Sequence, residues 1–124
     1  MTTSRHKNPR TFTHDHRQRL QRAAENYLRE CYRTKKPARG KDFADSLDLT
    51  PEYVSWLGAQ ILGGSLHHYL RRKQVAYAER LLRTTPLSVE EVAVRSGFGT
   101  RSTMHRWFLA VHDLTPTAFR ELKK

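Results

Sequence analysis

The chain has 124 residues, which fits one small domain, and 37% of them are hydrophobic, enough for a small helical core. Lys and Arg number 23 and Asp and Glu 12, so the formal net charge of +11 favours a polyanion as binding partner. The single cysteine excludes an internal disulfide, and no apolar run is long enough for a signal peptide or a membrane span, so we expect a cytoplasmic protein.

The N-terminal third of the sequence predicts a basic arm followed by a long helix. Residues 1–16 are polar, basic and without periodicity, which predicts a flexible arm. From Arg17 to Arg33 apolar residues recur at helical spacing, which predicts an amphipathic helix. The residues expected on its basic outer face are Arg17, Arg19, Arg22, Arg29 and Arg33. Cys31 lies within the apolar stripe, which favours a packed thiol over a reactive one.

Three further helices are predicted between residues 41 and 84. A short helix covers about 41–48. Thr50-Pro-Glu is a strong helix start, because a threonine cap, a proline and an acidic residue follow one another, and Gly63-Gly64 ends that helix. Ser65 then caps a long helix. We therefore expect a first helix-turn-helix at about 41–64 and a connecting helix at about 65–84.

The segment beginning at Ser88 predicts a second helix-turn-helix, at about 87–112, and a C-terminal helix follows at about 115–123. Ser88 and Glu91 form the start of a capping box. Gly97 gives the backbone freedom for a sharp turn, into which Phe98 packs. With about seven helices and no convincing strand, the predicted fold class is all-α, with two helix-turn-helix subdomains joined by a long connecting helix.

The second helix of this unit is predicted to be buried on one side and polar on the other. The residues spaced for burial are Met104, Trp107, Phe108 and Val111. The residues left facing outward are Arg101, Ser102, His105 and Arg106. Side chains of these types can enter a major groove and donate hydrogen bonds to base edges.

The second unit resembles a known family. From Leu87 to Phe108 the pattern is Leu-Ser-Val-x-Glu-Val-Ala-x-x-x-Gly-Phe-x-x-x-Ser-x-Met-x-Arg-x-Phe, and Thr115-Pro-x-x-Phe-Arg follows. This pattern is similar to that of the AraC/XylS-type transcriptional regulators, over about Lys41 to Arg120. The resemblance implies a stand-alone DNA-binding domain with two helix-turn-helix units. It also implies an activator without a cofactor that binds double-stranded DNA as a monomer and contacts RNA polymerase.

Candidate DNA contacts follow from the two predicted recognition helices and the basic segments. The expected base-reading residues are Arg101, Ser102, Thr103, His105 and Arg106 in the second unit, and Ser55 and Trp56 in the first. Phosphate contacts are expected from Arg71, Arg72, Arg17 and Arg22.

Charge is distributed unevenly along the chain. Residues 1–41 carry a net charge of +9 and residues 71–124 a net charge of +6, whereas residues 42–70 contain no Lys or Arg and four acidic residues. The first helix-turn-helix therefore lies almost entirely in an acidic segment. Because phosphate neutralisation supplies most non-specific DNA affinity, this unit is poorly equipped to hold a duplex.

The first recognition helix also departs from the family pattern. Trp56, Gly58 and Ala59 stand where the family has arginine, phenylalanine and lysine. A glycine inside a helix costs about 1 kcal/mol against alanine, and loss of the phenylalanine predicts a hole unless Trp56 or Leu57 fills it. Trp56 is therefore either a core residue or an exposed contact. Leu109 and Gln74 likewise replace basic residues of the family, and we expect the C-terminal unit to carry most of the specificity.

Other classes of function are disfavoured by what the sequence lacks. The histidine pairs His14-x-His16 and His67-His68 have no ligand partners at zinc-binding spacing, so no metal is expected. Acidic residues are scattered singly, without a pair placed for acid-base catalysis, so an enzyme is not expected. The alternative function is a protein-interaction module, in which the acidic first unit binds a transcription partner and the chain binds DNA only weakly.

Overall fold

The structure is a computed structural model that describes residues 14–122 of the chain. Seven α-helices follow one another, with no strand among the described residues, so the all-α prediction is confirmed. Their bounds are α1 His14–Thr34, α2 Gly40–Ser46, α3 Pro51–Leu62, α4 Leu66–Thr84, α5 Val89–Arg95, α6 Arg101–His112 and α7 Pro116–Leu122. Within 14–122, none of these helices is long and apolar enough to cross a membrane.

The first helix begins earlier than its apolar pattern indicates. Helix α1 starts at His14, so the predicted flexible arm at 1–16 is wrong for its last three residues, and residues 1–13 lie outside the described part of the chain. Asp15 contributes to this early start: its carboxylate accepts a hydrogen bond from Arg19 Nε at 2.9 Å, one turn on, and a negative charge stabilises a helix N-terminus.

Side-chain hydroxyls cap the helices where the sequence predicts it. Thr50 Oγ1 accepts a hydrogen bond from the Tyr53 amide at 3.1 Å, and Ser88 Oγ accepts one from the Glu91 amide at 3.0 Å. Ser65 caps α4 in the same way through the amide of His68. Each cap satisfies an amide that has no partner inside its helix, which fixes where the helix begins.

Two hydrophobic cores lie along one connecting helix. Helix α4 contributes Leu66 and Leu70 to the first core, which also contains Phe43 and residues of α1, α2 and α3. The same helix contributes Val75 and Leu82 to the second core, which contains residues of α5, α6 and α7. The two helix-turn-helix units are therefore α2 with α3 and α5 with α6, each packed on its own half of α4.

The loop between α1 and α2 ties the two units together. The Ala38 amide donates to the Gly97 carbonyl in the turn of the second unit at 2.8 Å. The Lys35 ammonium lies 3.4 Å from the Glu91 carboxylate of α5. Gln74 of α4, fully buried, donates through Nε2 to the Ser96 carbonyl at 2.9 Å. This residue, which replaces a basic residue of the family pattern, therefore has a structural contact within the protein.

Candidate nucleic-acid interface

The turn of the second unit is built from two glycines around a buried aromatic ring. Gly97 and Gly99 have φ angles of +79° and +85°, which favour glycine because other side chains rarely adopt them. Phe98 between them is buried in the second core. The Ser96 hydroxyl, also buried, donates to the Val92 carbonyl. The turn therefore holds α6 in a fixed direction relative to α5.

The inner face of α6 consists of two fully buried residues, and a third predicted residue is exposed. Met104 and Phe108 have no exposed surface, and the Phe108 ring packs edge-on against Phe119 of α7, with 5.3 Å between ring centres. Val111 is 39% exposed, so its predicted burial is wrong. His112 occupies the inner side of this last turn instead: its ring contacts Phe108, and its Nε2 lies within hydrogen-bonding distance of the Glu79 carboxylate of α4.

The outer face of α6 carries the side chains that the sequence placed there. Arg101, Ser102, His105 and Arg106 are all exposed. Thr103 is half-buried, and its hydroxyl lies 3.0 Å from that of Thr100, the residue that caps the helix. Leu109 is also exposed and follows His105 and Arg106 along the same face. The surface thus ends in an apolar patch beyond its polar donors.

Arg101 is engaged within the protein. Its guanidinium Nη1 donates to the Glu90 carboxylate of α5 at 2.5 Å. This hydrogen bond and the charge of Arg101 lower the pKa of Glu90 below its ordinary value, so the carboxyl is ionised at neutral pH. Both side chains are largely exposed, so solvent weakens the pair and a phosphate can compete for the guanidinium.

Trp107 joins the start of α4 to the recognition helix. The rings of His67 and His68 meet it edge-on, with ring centres 5.3 Å and 5.1 Å away. The Arg71 guanidinium lies 5.9 Å from the Trp107 ring centre, a distance at which a cation and an aromatic face attract. Arg106 is the neighbouring charge on α6.

Two pKa values at this junction are lowered. Burial, and then the charge of Arg106, lower the pKa of Arg71. Burial, with the charges of Arg71 and His68, lowers the pKa of His67. An anion is therefore favoured at this junction, since its negative charge would relieve the repulsion among these cations. Arg71 is half-buried and Arg72 is exposed, so the two predicted phosphate contacts differ in reach.

The outer face of α3 is polar but carries no cation. Its exposed residues are Pro51, Glu52, Ser55, Ala59 and Gln60. Trp56 is half-buried and stacks on the Tyr53 ring, with 5.7 Å between ring centres. Its indole therefore has both a packed and a solvent-facing part. Gln60, one turn beyond Trp56, was not among the predicted contacts, although its i+4 spacing identifies it as a residue of the same face.

Gly58 leaves no hole in the first unit. A β-carbon added at Gly58 would lie 2.8 Å from Leu66 Cβ and 3.2 Å from the Leu66 amide nitrogen, which is too close for carbon contacts. The missing phenylalanine is therefore compensated by close approach of α3 to the start of α4. The hole that the sequence predicted is therefore absent at Gly58, and Leu57, one of the two residues expected to fill it, packs against the first core.

The basic residues of α1 do not form a single face. Arg17 and Arg22 are both exposed, but at about 100° per residue they lie about 140° apart around the helix, so they cannot follow one strand of phosphates together. Arg22, Arg29 and Arg33 do share a side. Among residues 14–122, no three His, Cys, Asp or Glu side chains come together as a metal-binding group.

Comparison with known proteins identifies the same architecture elsewhere. A family model described as a helix-turn-helix domain matches residues 43–122. The C-terminal domain of the two-component response regulator YesN from Fusobacterium nucleatum is 25% identical, with a TM-score of 0.71 over 82% of this chain and 98% of that domain. A transcriptional regulator from Chromobacterium violaceum, described as containing an AraC-type DNA-binding domain, is 19% identical, with a TM-score of 0.68 over 86% of this chain and 93% of the regulator. The DNA-binding domain of the global transcriptional factor AdpA, solved with a target DNA, is 22% identical, with a TM-score of 0.71 over 83% of this chain and 90% of that domain.

Proposed function

The chain belongs to the AraC-type helix-turn-helix family, and from that premise we propose that it is a transcriptional activator that reads the major groove mainly through α6. Family and fold identify a DNA-binding domain of a transcriptional regulator. In this proposal α6 carries most of the sequence specificity, and α3 contacts the duplex weakly and with little selectivity for bases. We further propose that the chain binds as a monomer and contacts RNA polymerase.

One observation carries the proposal: the two recognition helices present different chemistry at corresponding positions. The outer face of α6 carries the guanidinium groups of Arg101 and Arg106, which can each donate bidentate hydrogen bonds to guanine O6 and N7. The outer face of α3 has Glu52 and Ser55 in the places that correspond to Ser102 and His105. A face without cations gains little from phosphates, and its carboxylate is repelled by them.

Phosphate contacts are proposed at the start of α4 and along α1. The cations Arg71 and Arg72 lie next to the recognition helix, and Arg71 already packs against Trp107. Arg17 and Arg22 are exposed on α1 and are proposed to reach separate phosphates, because they point about 140° apart. The related DNA-binding domain of AdpA was solved on a target DNA, which supports duplex DNA as the ligand of this fold.

The test is selection of bound sequences from a random DNA library, followed by footprinting on the selected site. If α6 carries the specificity, one block of conserved bases appears and protection covers about one major groove. The matched substitutions are Arg106→Ala in α6 and Trp56→Ala in α3, which occupy corresponding positions. Two equally selective blocks a helical turn apart, with one lost in Trp56→Ala, would show that both units read bases.

A second function is favoured for the first unit by one observation: its acidic residues are exposed. Those residues are Asp42, Asp45, Asp48 and Glu52. Of these four residues only Asp45 has an ion pair within residues 14–122, with Lys41 at a distance of 3.5 Å. We propose that this acidic surface contacts a protein of the transcription machinery while α6 holds the DNA.

Transcription in vitro from the selected site tests this proposal: Asp48→Asn/Glu52→Gln should lower transcription without weakening DNA binding. Equal changes in both would assign these residues to the DNA contact.

A further inference from the structure

A groove between α1 and α4 has the size and lining of a small-molecule site. Its volume is about 500 Å³, within the range of pockets that hold small ligands. One wall comes from α1 through residues 25–33 and the other from α4 through residues 73–80. The outer face of α6, which is proposed to read the bases, contributes to neither wall.

Two stacked tyrosines line the groove. The rings of Tyr32 and Tyr77 are 4.2 Å apart between centres and nearly parallel, with 11° between their planes. The Arg80 guanidinium lies 5.4 Å from the centre of the Tyr77 ring. Both tyrosines are half-buried, so part of each ring faces the groove. A planar aromatic ligand can pack against this pair in an offset-stacked or edge-to-face arrangement.

The groove contains more positive charge than its carboxylates balance. Lys73 is paired with Glu25 at 3.2 Å, and Arg33 with Glu30 at 2.5 Å. Arg29 donates to the side-chain oxygen of Asn26, a neutral group. Neither Arg29 nor Arg80 has a carboxylate partner in the described part of the chain, so two guanidinium groups at the groove are uncompensated. Guanidinium groups bind carboxylates and phosphates by paired hydrogen bonds.

The groove lies away from the recognition helix. On α4, Arg71 contacts Trp107 of α6, while Lys73, Tyr77 and Arg80 project from the opposite side, at about 100° per residue. A duplex on the outer face of α6 would therefore leave the groove open. This placement separates the groove from the base-reading face of α6, whereas Arg22, a proposed phosphate contact, shares the side of α1 that carries Arg29.

The groove also borders the turn that positions α6, through the ring of Tyr32. Tyr32 Cε1 lies 3.6 Å from the place where a β-carbon on Gly97 would be, so its ring packs on the turn. Gln74, which holds the Ser96 carbonyl, lies against the same point. A ligand that moves Tyr32 therefore presses on the backbone between α5 and α6.

We propose that this groove binds a small planar aromatic anion, with the ring against Tyr32 and Tyr77 and the negative group between Arg29 and Arg80, and that binding changes the affinity of α6 for DNA. The chemistry fits a nucleoside monophosphate or an aromatic dicarboxylate. Ligand binding is measured without DNA, so this proposal can fail while the regulator function stands, and the reverse.

The experiment is calorimetric titration of the full chain with adenosine 5′-monophosphate and, separately, with isophthalate. Saturable binding below about 1 mM is expected for at least one of them, and much weaker binding for inorganic phosphate or adenosine alone. The ligand that binds more tightly shows whether the site prefers a phosphate or a carboxylate as its negative group. No saturable binding of either, or phosphate binding as tight as that of the aromatic anions, overturns the proposal.

Variants locate the site. Arg29→Gln/Arg80→Gln should weaken ligand binding about tenfold or more, which corresponds to losing one charge-assisted hydrogen bond. Arg29→Lys/Arg80→Lys keeps the charge and should lose less. Arg83→Gln is the control, because Arg83 is exposed on the same helix and outside the groove. Circular dichroism checks that each variant is folded.

Two readouts complete the test. A saturating ligand should change the Kd for the selected DNA site in the parent chain and leave it unchanged in Arg29→Gln/Arg80→Gln; an unchanged Kd in both contradicts the coupling to α6. If the double variant loses salt-dependent DNA affinity and no ligand binds the parent chain, the groove holds the DNA backbone instead, and the proposal is wrong.

Discussion

The two helix-turn-helix units share a backbone framework and differ in the side chains that it carries. Helices α3 and α6 both have twelve residues, and their starts at Pro51 and Arg101 lie 50 positions apart. Each follows a threonine cap, and each ends at a left-handed residue, with φ of +76° at Gly63 and +60° at Asp113. The backbone of the motif thus repeats although the side chains do not.

The difference between the units concerns both packing and reading. At the corresponding inner position the first unit has Gly58, pressed against Leu66, and the second has Phe108, packed against Phe119. At the corresponding outer position the first has Trp56 and the second Arg106. The same framework therefore tolerates a close helix contact in one unit and an aromatic core in the other, and only the second presents cations outward.

The largest expected effect comes from removing the aromatic centre of the second unit. Phe108→Ala should lower the free energy of unfolding by about 3–5 kcal/mol, because Phe108 is fully buried and its removal leaves a cavity. Val111→Ala on the same helix is the control and should cost much less, since Val111 is partly exposed. Chemical denaturation measures both. A loss below about 1 kcal/mol for Phe108→Ala would mean that this core can close around the gap.

The first unit should respond to the opposite change. Gly58→Ala should lower the free energy of unfolding by about 1–3 kcal/mol through overpacking against Leu66, which outweighs the roughly 1 kcal/mol that alanine gains in a helix. Gly64→Ala is the control, because a β-carbon at Gly64 meets nothing within 4 Å. A more stable Gly58→Ala would show that α3 can move away from α4, and that the close contact is not required.

The outer faces are compared by matched truncations. Arg106→Ala should weaken binding to the selected site by about 1–3 kcal/mol and relax the preference at one base position. Trp56→Ala, at the corresponding position of α3, should change selectivity much less. Fluorescence anisotropy on the selected site and on random DNA separates the effects. If Arg106→Ala weakens both DNAs equally, Arg106 contacts a phosphate only.

The framework was predictable because its signals are local. Helix starts at Thr50, Ser65 and Ser88 depend on a hydroxyl and the amide three residues on, and the turn at Gly97 depends on one backbone angle. Such features lie within a few residues of each other in the sequence. The buried face of α6 was predicted for Met104 by the same periodicity.

The rest depends on contacts between distant segments. The place of Gly58 is set by Leu66 on another helix, and that of Gln74 by the carbonyl of Ser96. Periodicity predicted burial for Val111, but burial requires a partner, and in the last turn of α6 it is the neighbouring His112 whose ring stacks on Phe119 of α7. The outward residues of α6 were predicted, whereas the Arg101 pair with Glu90 required the geometry of the turn.

A smaller effect is expected from the ion pair that links α5 and α6. Glu90→Gln removes a negative charge beside the proposed interface and frees Arg101, so DNA affinity should rise, but only modestly, because solvent already weakens an exposed pair. Glu52→Gln makes the same change on α3 and should have less effect if α3 rests lightly on the duplex. Anisotropy titrations at two salt concentrations measure both. Weaker binding of Glu90→Gln would mean that the pair orients Arg101 toward its base.

The smallest expected effect concerns pH and the junction at Trp107, which has no counterpart in the first unit, where Leu57 occupies the corresponding position. The pKa of His67 is lowered in the folded chain, by burial and by the charges of Arg71 and His68, from an ordinary value of 6.5. The unfolded chain therefore binds the proton more readily, and the contribution of His67 to stability falls as the pH drops through 6.5 and below. The change in melting temperature between about pH 7.5 and about pH 5.5 should be smaller in His67→Asn than in the parent chain. His105→Asn, on the exposed face of α6, is the control. A pH dependence that is the same in His67→Asn and the parent chain would show that protonation of His67 does not weaken the contact between α4 and α6.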